Sequence, residues 1–350
     1  MAERKAGKGP IRVLLVDDSP SVRAMLRAML EADPGIRVVG EAGDGKQAIA
    51  MTKALQPNVV TMDLQMPVMG GLEAIGEIMA DAAVPILVVS GQADAGQAYA
   101  AISSGALDVM SKQDLGQGPP LVAKVKLLAG VRVITHVRAR PQPLPLPPPA
   151  KKPGDESFAL VFAIAASTGG PQALAEVLAA LPSEFPSPVL VAQHISAGFA
   201  AGLAEWLDLQ CPLPVRLARD GDTLQPGVVF ISPSEHNLAV ARGGRLQLEP
   251  GDPSQIYHPS CDRLLSSLAD AYGKRSVGVI LTGMGSDGVA GIARIAQAGG
   301  LTLAQDQVSS VVFGMNAEAI RRGHAREVLA LGELAKRMCG LAAAADRLVA

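Results

Sequence analysis

Short apolar runs alternate with amphipathic stretches along the first part of the chain. The apolar runs predict five strands, over residues 11–16, 38–39, 59–62, 86–89 and 108–110. The stretches between them predict helices that begin at Ser21 and Lys46 and that span residues 72–79 and 97–103. Because the predicted strands are almost continuously apolar, they are typical of a parallel sheet covered by helices on both faces. This pattern predicts a doubly wound, flavodoxin-like α/β domain.

The same alternation returns later in the chain. It predicts strands over 160–165, 189–192, 277–281 and 301–304, with helices over 172–181, 199–207, 288–297 and 317–321. Between them, residues 215–248 are richer in Gly, Pro and short β runs, with a turn signal at Gly243 and Gly244, which favours a β-hairpin insertion. We therefore expect a second doubly wound α/β domain, Rossmann-like and mostly parallel.

A proline-rich segment separates the two patterns. Residues 138–157 read RARPQPLPLPPPAKKPGDES, where the prolines exclude a helix interior and remove backbone donors from any sheet. Such a segment is typical of a semi-rigid, extended linker. The expected organisation is a first domain over 1–130, a linker over 131–157 and a second domain over 158–350.

Composition narrows the classes of partner. Lys and Arg number 31 against 33 Asp and Glu, so no basic surplus is present to bind a nucleic acid backbone, and we expect no nucleic acid partner. Although 49% of residues are hydrophobic, the apolar runs are short, and the N-terminus lacks the pattern of an export signal. We expect a cytoplasmic protein without membrane insertion. The three cysteines, Cys211, Cys261 and Cys339, are too widely spaced for a local metal pair and are expected to be buried thiols.

Polar side chains follow four of the five strands predicted in the first domain. Asp17 and Asp18 end the first, Asp63 the third and Ser90 the fourth, and the fifth runs into Lys112. Ligands of doubly wound sheets bind at this edge, and converging carboxylates favour a hard divalent cation such as Mg²⁺. A carboxylate oxygen can also attack phosphorus, which makes Asp63, between the others, a candidate phosphate acceptor. In the simpler alternative, the first two aspartates only cap the following helix.

The segments VDDSPSVR, MDLQMPVMGG, ILVVSG and DVMSK resemble the receiver domain of bacterial response regulators. The resemblance implies Mg²⁺ bound by Asp17, Asp18 and Asp63, with Asp63 phosphorylated by a sensor histidine kinase. It also implies that Ser90 and Lys112 contact the phosphoryl group. The sequence departs from the pattern in three places: Val109 replaces a frequent aromatic residue, Gln113 a usual proline and Gly70 a common aspartate. These departures leave the phosphate-handling residues intact but put the transmission of the signal in question.

Ser167 lies at a predicted strand-to-helix turn in the second domain. The turn reads ASTGGP, with glycines that allow a ligand to approach and a helix start whose N–H groups could bind an oxyanion or a phosphate. By itself it fits two interpretations. One is a nucleophile elbow, with Ala165 in place of the first glycine, and the other is a nucleotide-binding turn.

A base and an acid at two further strand ends favour the nucleophile. His194 ends the strand over 189–192 and Asp287 follows the strand over 277–281, so parallel strands would bring both to the edge that carries Ser167. Asp306 is the alternative acid. The remaining histidines lie in loop-like contexts: His136, His236, His258 and His324. The chain order Ser, His, Asp differs from that of the α/β-hydrolases, so another family is required.

The segments AASTGGP, VAQHISAGF, LTGMGSDG and QDQVSSVVFGM resemble the catalytic domain of the chemotaxis protein-glutamate methylesterases. The resemblance implies a triad and an oxyanion-binding turn formed by Ser167, His194, Asp287, the backbone N–H of Met284, and the turn glycines Gly169 and Gly170. Ala165 stands for a usual glycine and Asn316 for a usual proline; neither change removes a reacting group.

The two resemblances together imply a phosphorylation-activated serine esterase. It would hydrolyse glutamyl methyl esters and deamidate glutamines on methyl-accepting chemotaxis receptors. Its role would be sensory adaptation. The unphosphorylated receiver would obstruct the esterase, Mg²⁺ would serve phosphorylation alone, and the esterase chemistry would need no cofactor. Two alternatives are a phosphorylation-controlled binding protein without catalysis and a nucleotide-binding second domain, but neither accounts for His194 and Asp287.

Overall fold

The chain forms two compact units. A computed structural model describes residues 9–91, 95–117, 120–131, 133, 158–251 and 258–349. The units comprise Met1–Pro141 and Gln142–Ala350. The segment expected to be a linker lies outside the described residues, apart from residues 131 and 133. Each unit is therefore described by itself.

The first unit contains one parallel sheet. Its elements in chain order are β1 (Ile11–Val16), α1 (Pro20–Glu31), β2 (Ile36–Ala42), α2 (Gly45–Leu55), β3 (Val59–Met62), α3 (Gly71–Asp81), β4 (Ile86–Ser90), α4 (Ala95–Ser103), β5 (Asp108–Ser111) and α5 (Pro120–Leu128). The strand order is β2-β1-β3-β4-β5, and all pairs are parallel. This is the flavodoxin-like order, so the predicted fold class is confirmed. A 3₁₀ helix over Lys112–Gln117 and helix α5 were not predicted.

Local sequence signals explain where the first helices begin. Ser19 is the N-cap of α1 and Pro20 follows it, while the Asp44 side chain caps α2 by accepting from the N–H of Gln47 at 2.9 Å. The strands β3 and β4 are buried along their whole length, because helices cover both faces of the sheet. The apolar strand pattern therefore reflects burial on two sides.

The second unit is larger. Its elements are β6 (Val161–Ala166), α6 (Gly170–Ala179), β7 (Val189–Gln193), α7 (Ala200–Gln210), β8 (Val215–Leu217), β9 (Val229–Ile231), β10 (His236–Val240), β11 (Leu246–Pro250), α8 (Cys261–Tyr272), β12 (Ser276–Ile280), α9 (Val289–Gln297), β13 (Leu301–Gln305), α10 (Met315–Arg321), β14 (Glu327–Leu329) and α11 (Leu331–Val349). Seven strands form one parallel sheet in the order β14-β13-β12-β6-β7-β9-β8. The expected parallel α/β architecture is confirmed.

The predicted insertion is smaller than expected. Within the described part of residues 215–258, only β10 and β11 form an antiparallel hairpin, and Gly243 and Gly244 lie between them with φ of 82° and 71°. Glycine tolerates this left-handed backbone, which hairpin turns favour. The strands β8 and β9 instead extend the main sheet beside β7. Their parallel pairing could not be read from short β runs alone.

Helix α8 was not predicted, although it carries an amphipathic pattern. Leu264, Leu265 and Leu268 are fully buried in the core of the second unit, together with residues of β6, β12 and α9. Cys211 and Cys261 are buried free thiols, as expected, whereas Cys339 is only half-buried. Among the described residues, none of the helices has the length and apolar character needed to cross a bilayer.

Candidate functional sites

The central strand of the second unit carries Ser167. Strand β6 lies between β12 and β7, and its last paired residue, Ala166, is opposite Gln193. Ser167 and His194 are therefore the next residues on adjacent parallel strands, which lie about 4.8 Å apart. The backbone N–H of His194 donates to the carbonyl of Ala166 at 3.0 Å. The sheet register thus places these two predicted site residues beside each other.

His194 is hydrogen-bonded to the predicted acid. Its Nε2 lies 2.7 Å from Oδ2 of Asp287, which sits between β12 and α9. Burial by itself raises the pKa of Asp287, but the hydrogen bond and charge of His194 and two backbone N–H groups lower it overall, so the carboxylate is ionised and can only accept. Nε2 must therefore carry the proton, and the buried Nδ1 keeps the lone pair that can act as a base.

The start of helix α8 holds the Asp287 carboxylate. The N–H of Cys261 donates to Oδ2 and that of Asp262 to Oδ1, both at 2.8 Å, and the Ser260 hydroxyl lies 3.3 Å from Oδ1. The first N–H groups of a helix have no partner within it, and its dipole favours an anion there. Asp287 therefore serves as the anion at the N-terminus of α8.

Asp262, the second residue of α8, accepts hydrogen bonds from the start of α9. Its Oδ1 accepts from the N–H groups of Gly288 and Gly291 at 2.9 and 2.7 Å. Burial, and next the charge of Asp287, raise the pKa of Asp262 despite these bonds. Asp262 of α8 thus accepts from N–H groups at the start of α9, and Asp287, two residues before α9, accepts from N–H groups at the start of α8. Asp287 was predicted as the acid, whereas Asp262 was not predicted; the signal for it was Ser260 followed by an amphipathic helical pattern.

The turn after Ser167 is shaped by tight contacts. The Ser167 carbonyl accepts from the N–H of Gly170 at 2.7 Å and from Nε2 of the buried Gln193 at 2.8 Å. The same Nε2 donates to the carbonyl of His194 at 2.8 Å. Gly169 has φ of 76°, and a Cβ there would lie 2.6 Å from Val311. Gly170 therefore uses its N–H within the turn, and Gln193, which was not predicted, joins the backbones of Ser167 and His194.

Met284 lies where an oxyanion donor is expected. A Cβ on the preceding Gly283 would lie only 2.5 Å from Cβ of Ser167, so the two backbones are packed directly together. Within the described part of the chain, the N–H of Met284 donates no hydrogen bond. A free N–H beside a serine can stabilise negative charge on a carbonyl oxygen under attack.

The alternative acid, the residue that replaces the usual proline and the remaining histidines make contacts elsewhere in the second unit or lie outside the described residues. Oδ1 of Asp306 accepts from the N–H and hydroxyl of Ser309 at 2.9 and 2.6 Å, so this acid stabilises its own loop. Asn316, where a proline was usual, donates to the carbonyl of Gln305 at 3.0 Å. His236 is exposed, and the backbone carbonyl of His324 accepts from Thr302. The backbone carbonyl of His258 accepts from Ile195, and His136 lies outside the described residues.

The first unit brings its predicted carboxylates together. Asp17, Asp18 and Asp63 each offer an oxygen, and these oxygens lie within 4.8 Å of one another. Oxygen atoms of carboxylates are the ligands that Mg²⁺ prefers, so the donor set fits this ion. Ser19, not either neighbouring aspartate, is the cap of α1, and its N–H donates to Oδ1 of Asp17 at 2.9 Å. Helix capping alone therefore does not account for the aspartate pair.

Lys112 and Ser90 both contact Asp63. The Lys112 ammonium lies 2.8 Å from Oδ2 of Asp63 and 2.7 Å from Asp17, and the Ser90 hydroxyl donates to Oδ1 of Asp63 at 3.3 Å. Burial raises the pKa of Asp63 against the opposing effect of Lys112. A Cβ at Gly71 would lie 2.0 Å from the Asp63 carbonyl, so this close approach requires glycine. Gln113 donates its N–H to the Ser111 hydroxyl at 3.2 Å, a bond that proline could not make.

The chain is similar to known proteins over both units. The CheB methylesterase family model matches residues 162–338 and the response regulator receiver domain model matches residues 13–117. A protein-glutamate methylesterase/protein-glutamine glutaminase of Paramagnetospirillum magneticum is 51% identical, covering 94% of this chain and 95% of the relative. Another of Myxococcus xanthus is 42% identical, covering 94% and 96%.

A solved structure resembles the second unit. The catalytic domain of the Thermotoga maritima CheB methylesterase is 36% identical with a TM-score of 0.50, and the match covers 52% of this chain and 98% of that domain. The family models and the relatives together span both units. The chain therefore belongs to the CheB methylesterase family, with a response regulator receiver domain preceding the methylesterase domain.

Proposed function

We propose that the chain hydrolyses glutamyl methyl esters, and deamidates glutamines, on methyl-accepting chemotaxis receptors. The observation that carries the proposal is the hydrogen bond between His194 and Asp287 at the sheet edge where Ser167 follows the central strand. The relatives named above are protein-glutamate methylesterases and glutaminases, which supports the same substrate class. Ester and amide hydrolysis share a tetrahedral intermediate, so one site serves both reactions.

In the proposed mechanism, Nδ1 of His194 accepts the proton of the Ser167 hydroxyl as its oxygen attacks the γ-carbonyl carbon. Asp287 stabilises the imidazolium that forms, through Nε2. The N–H of Met284 donates to the developing oxyanion, and Gly169 and Gly170 allow the oxyanion-binding turn to pack closely against Val311 and Gln193. The imidazolium then gives the proton taken from Ser167 to the leaving oxygen of the ester, or to the leaving nitrogen of the amide, as its bond to carbon breaks and methanol or ammonia departs. Water, deprotonated by the same imidazole, releases glutamate from the acyl-enzyme.

The receiver domain is proposed to control this reaction. Asp63 would accept a phosphoryl group from a sensor histidine kinase, with Lys112 and Ser90 holding its oxygens. Asp17, Asp18 and Asp63 would hold Mg²⁺, which neutralises charge during phosphoryl transfer. The covalent linkage of a phosphate-accepting unit to an esterase supports activation by phosphorylation, and hence a role in sensory adaptation. Since its proposed phosphodonor is a kinase, we expect the protein to act in the cytoplasm.

Ser167→Ala tests the nucleophile. We expect the rate of methanol release from methylated receptors to fall at least about a thousandfold, because no other group replaces the hydroxyl. Ser187→Ala is a matched control, since Ser187 is also a buried serine of the second unit and its hydroxyl has no hydrogen-bond partner among the residues that the structure describes. It should keep the wild-type rate. Unchanged methanol release by the Ser167 variant would reject the mechanism.

Asp262→Ala tests whether Asp262 positions Asp287. Loss of the bonds to Gly288 and Gly291 should loosen the turn that carries the acid and lower kcat by about tenfold to a hundredfold, or ~1.4 to 2.7 kcal/mol, with KM little changed. Asp262→Asn should restore much of kcat, because its amide oxygen can accept the same bonds. Asp270→Ala, at an exposed ion pair later in α8, is the control. Equal kcat in all these variants would exclude the positioning role.

Asp63→Asn tests whether phosphorylation of the receiver domain activates the esterase. We expect phosphoramidate with Mg²⁺ to raise the esterase rate of the wild-type chain by about 5- to 150-fold, the usual range of coupling between sites. The Asp63→Asn chain should keep the basal rate without this increase, because an amide cannot accept the phosphoryl group. Asp81→Asn, which changes an exposed ion pair of the same unit, should respond as the wild type does. An equal increase in the Asp63 variant would contradict the assignment.

A further inference from the structure

A third potential metal ligand lies against the His194–Asp287 pair. Sγ of Cys261, the first residue of α8, is 3.4 Å from Nε2 of His194. Nε2, this sulfur and a carboxylate oxygen of Asp287 all lie within 4.8 Å of one another. The proposed esterase mechanism uses the histidine and the aspartate but has no role for the thiol. A nitrogen, a sulfur and an oxygen donor therefore converge on one point of the site.

We propose that His194, Cys261 and Asp287 form a site for a thiophilic divalent cation such as Zn²⁺, and that binding there inhibits the esterase. The inhibition rests on the proposed function, whereas the site itself does not. Zn²⁺ favours this set of donors, and three protein ligands leave a fourth position for water. The carboxylate cluster of the first unit offers only oxygen and is suited to Mg²⁺.

The spacing of the donors is close to that of a tetrahedral zinc site. Zinc bond lengths place a nitrogen and a sulfur ligand about 3.6 Å apart and a nitrogen and an oxygen ligand about 3.3 Å apart. The observed distance from Nε2 to Sγ is 3.4 Å and that from Nε2 to Oδ2 is 2.7 Å. The sulfur therefore already lies at about the distance from Nε2 that a zinc site requires. Of these two distances, the one between His194 and Asp287 must increase, by about 0.6 Å, to admit the ion.

The charges and protons of the complex balance. Metal binding breaks the S–H bond of Cys261 and releases its proton to solvent, so one thiolate, one carboxylate and Zn²⁺ sum to zero charge. This neutrality matters because Cys261 is fully buried and the His194 side chain is only 6% exposed. The Asp287 side chain is 17% exposed and gives the ion its access from solvent.

Inhibition follows from the tautomer of His194. In the free enzyme the proton lies on Nε2 and Nδ1 is the base. A metal on Nε2 requires its lone pair, so the neutral ring must carry its proton on Nδ1. That nitrogen can then no longer accept the proton of the Ser167 hydroxyl. The ion would thus block catalysis without contacting the nucleophile, and a chelator would restore activity.

Absorption spectroscopy with Co²⁺ tests the site without any substrate. Co²⁺ added to the intact chain should give the intense near-ultraviolet charge-transfer band of a thiolate–metal bond, and Zn²⁺ should remove the band by displacement. Cys261→Ala and Cys261→Ser should lack the band, whereas Cys211→Ala, a change of another buried thiol in the same unit, should keep it. Absence of the band from the wild-type chain, or its persistence in both Cys261 variants, would overturn the proposed site.

Inhibition of methanol release by Zn²⁺ provides the second readout. The concentration for half inhibition should rise at least about tenfold in both Cys261 variants and stay unchanged in Cys211→Ala. The melting temperature of each variant without metal shows that it is folded. A cobalt band without zinc inhibition would retain the site and reject its inhibitory role. A chain that shows the band but no esterase activity would reject the proposed function and leave the site standing.

Discussion

The carboxylate of Asp287 has four hydrogen-bond donors at or below 3.3 Å, and the organisation of the site depends on them. Two are backbone N–H groups at the start of α8, one is the Ser260 hydroxyl and one is Nε2 of His194. An ionised carboxylate in this position satisfies the helix end and at the same time forces the imidazole into one tautomer. The stability of the second unit and its proposed chemistry therefore both depend on the carboxylate of Asp287.

Much of the architecture could be predicted from the sequence, because the signals were local. Continuous apolar runs such as 59–62 and 86–89 are strands buried on both faces, and their bounds differ little from the observed β3 and β4. The edge at which parallel strands end is fixed by topology. Ser167, His194 and Asp287 could therefore be proposed as neighbours from their positions after three strands, and the observed sheet order places β6 between the other two.

Other features depend on contacts between distant segments. Helix α8 has clear amphipathic spacing at Leu264, Leu265 and Leu268, but nothing local indicates that its first turn meets Asp287, 26 positions after Cys261. The hydrogen bonds that Asp262 accepts from the start of α9 likewise arise only when α8 packs against α9. The parallel pairing of β8 and β9 with the main sheet is also a long-range property.

The most direct test of this account is the position of the proton on His194. Long-range ¹⁵N–¹H correlation spectra of the histidine-labelled chain, assigned by comparison with His194→Gln, report which ring nitrogen is protonated. We expect the proton on Nε2, in a strong hydrogen bond that disappears in Asp287→Asn, and an unprotonated Nδ1. A neutral ring protonated on Nδ1 instead would contradict the claim that Asp287 sets His194 up as the base for Ser167.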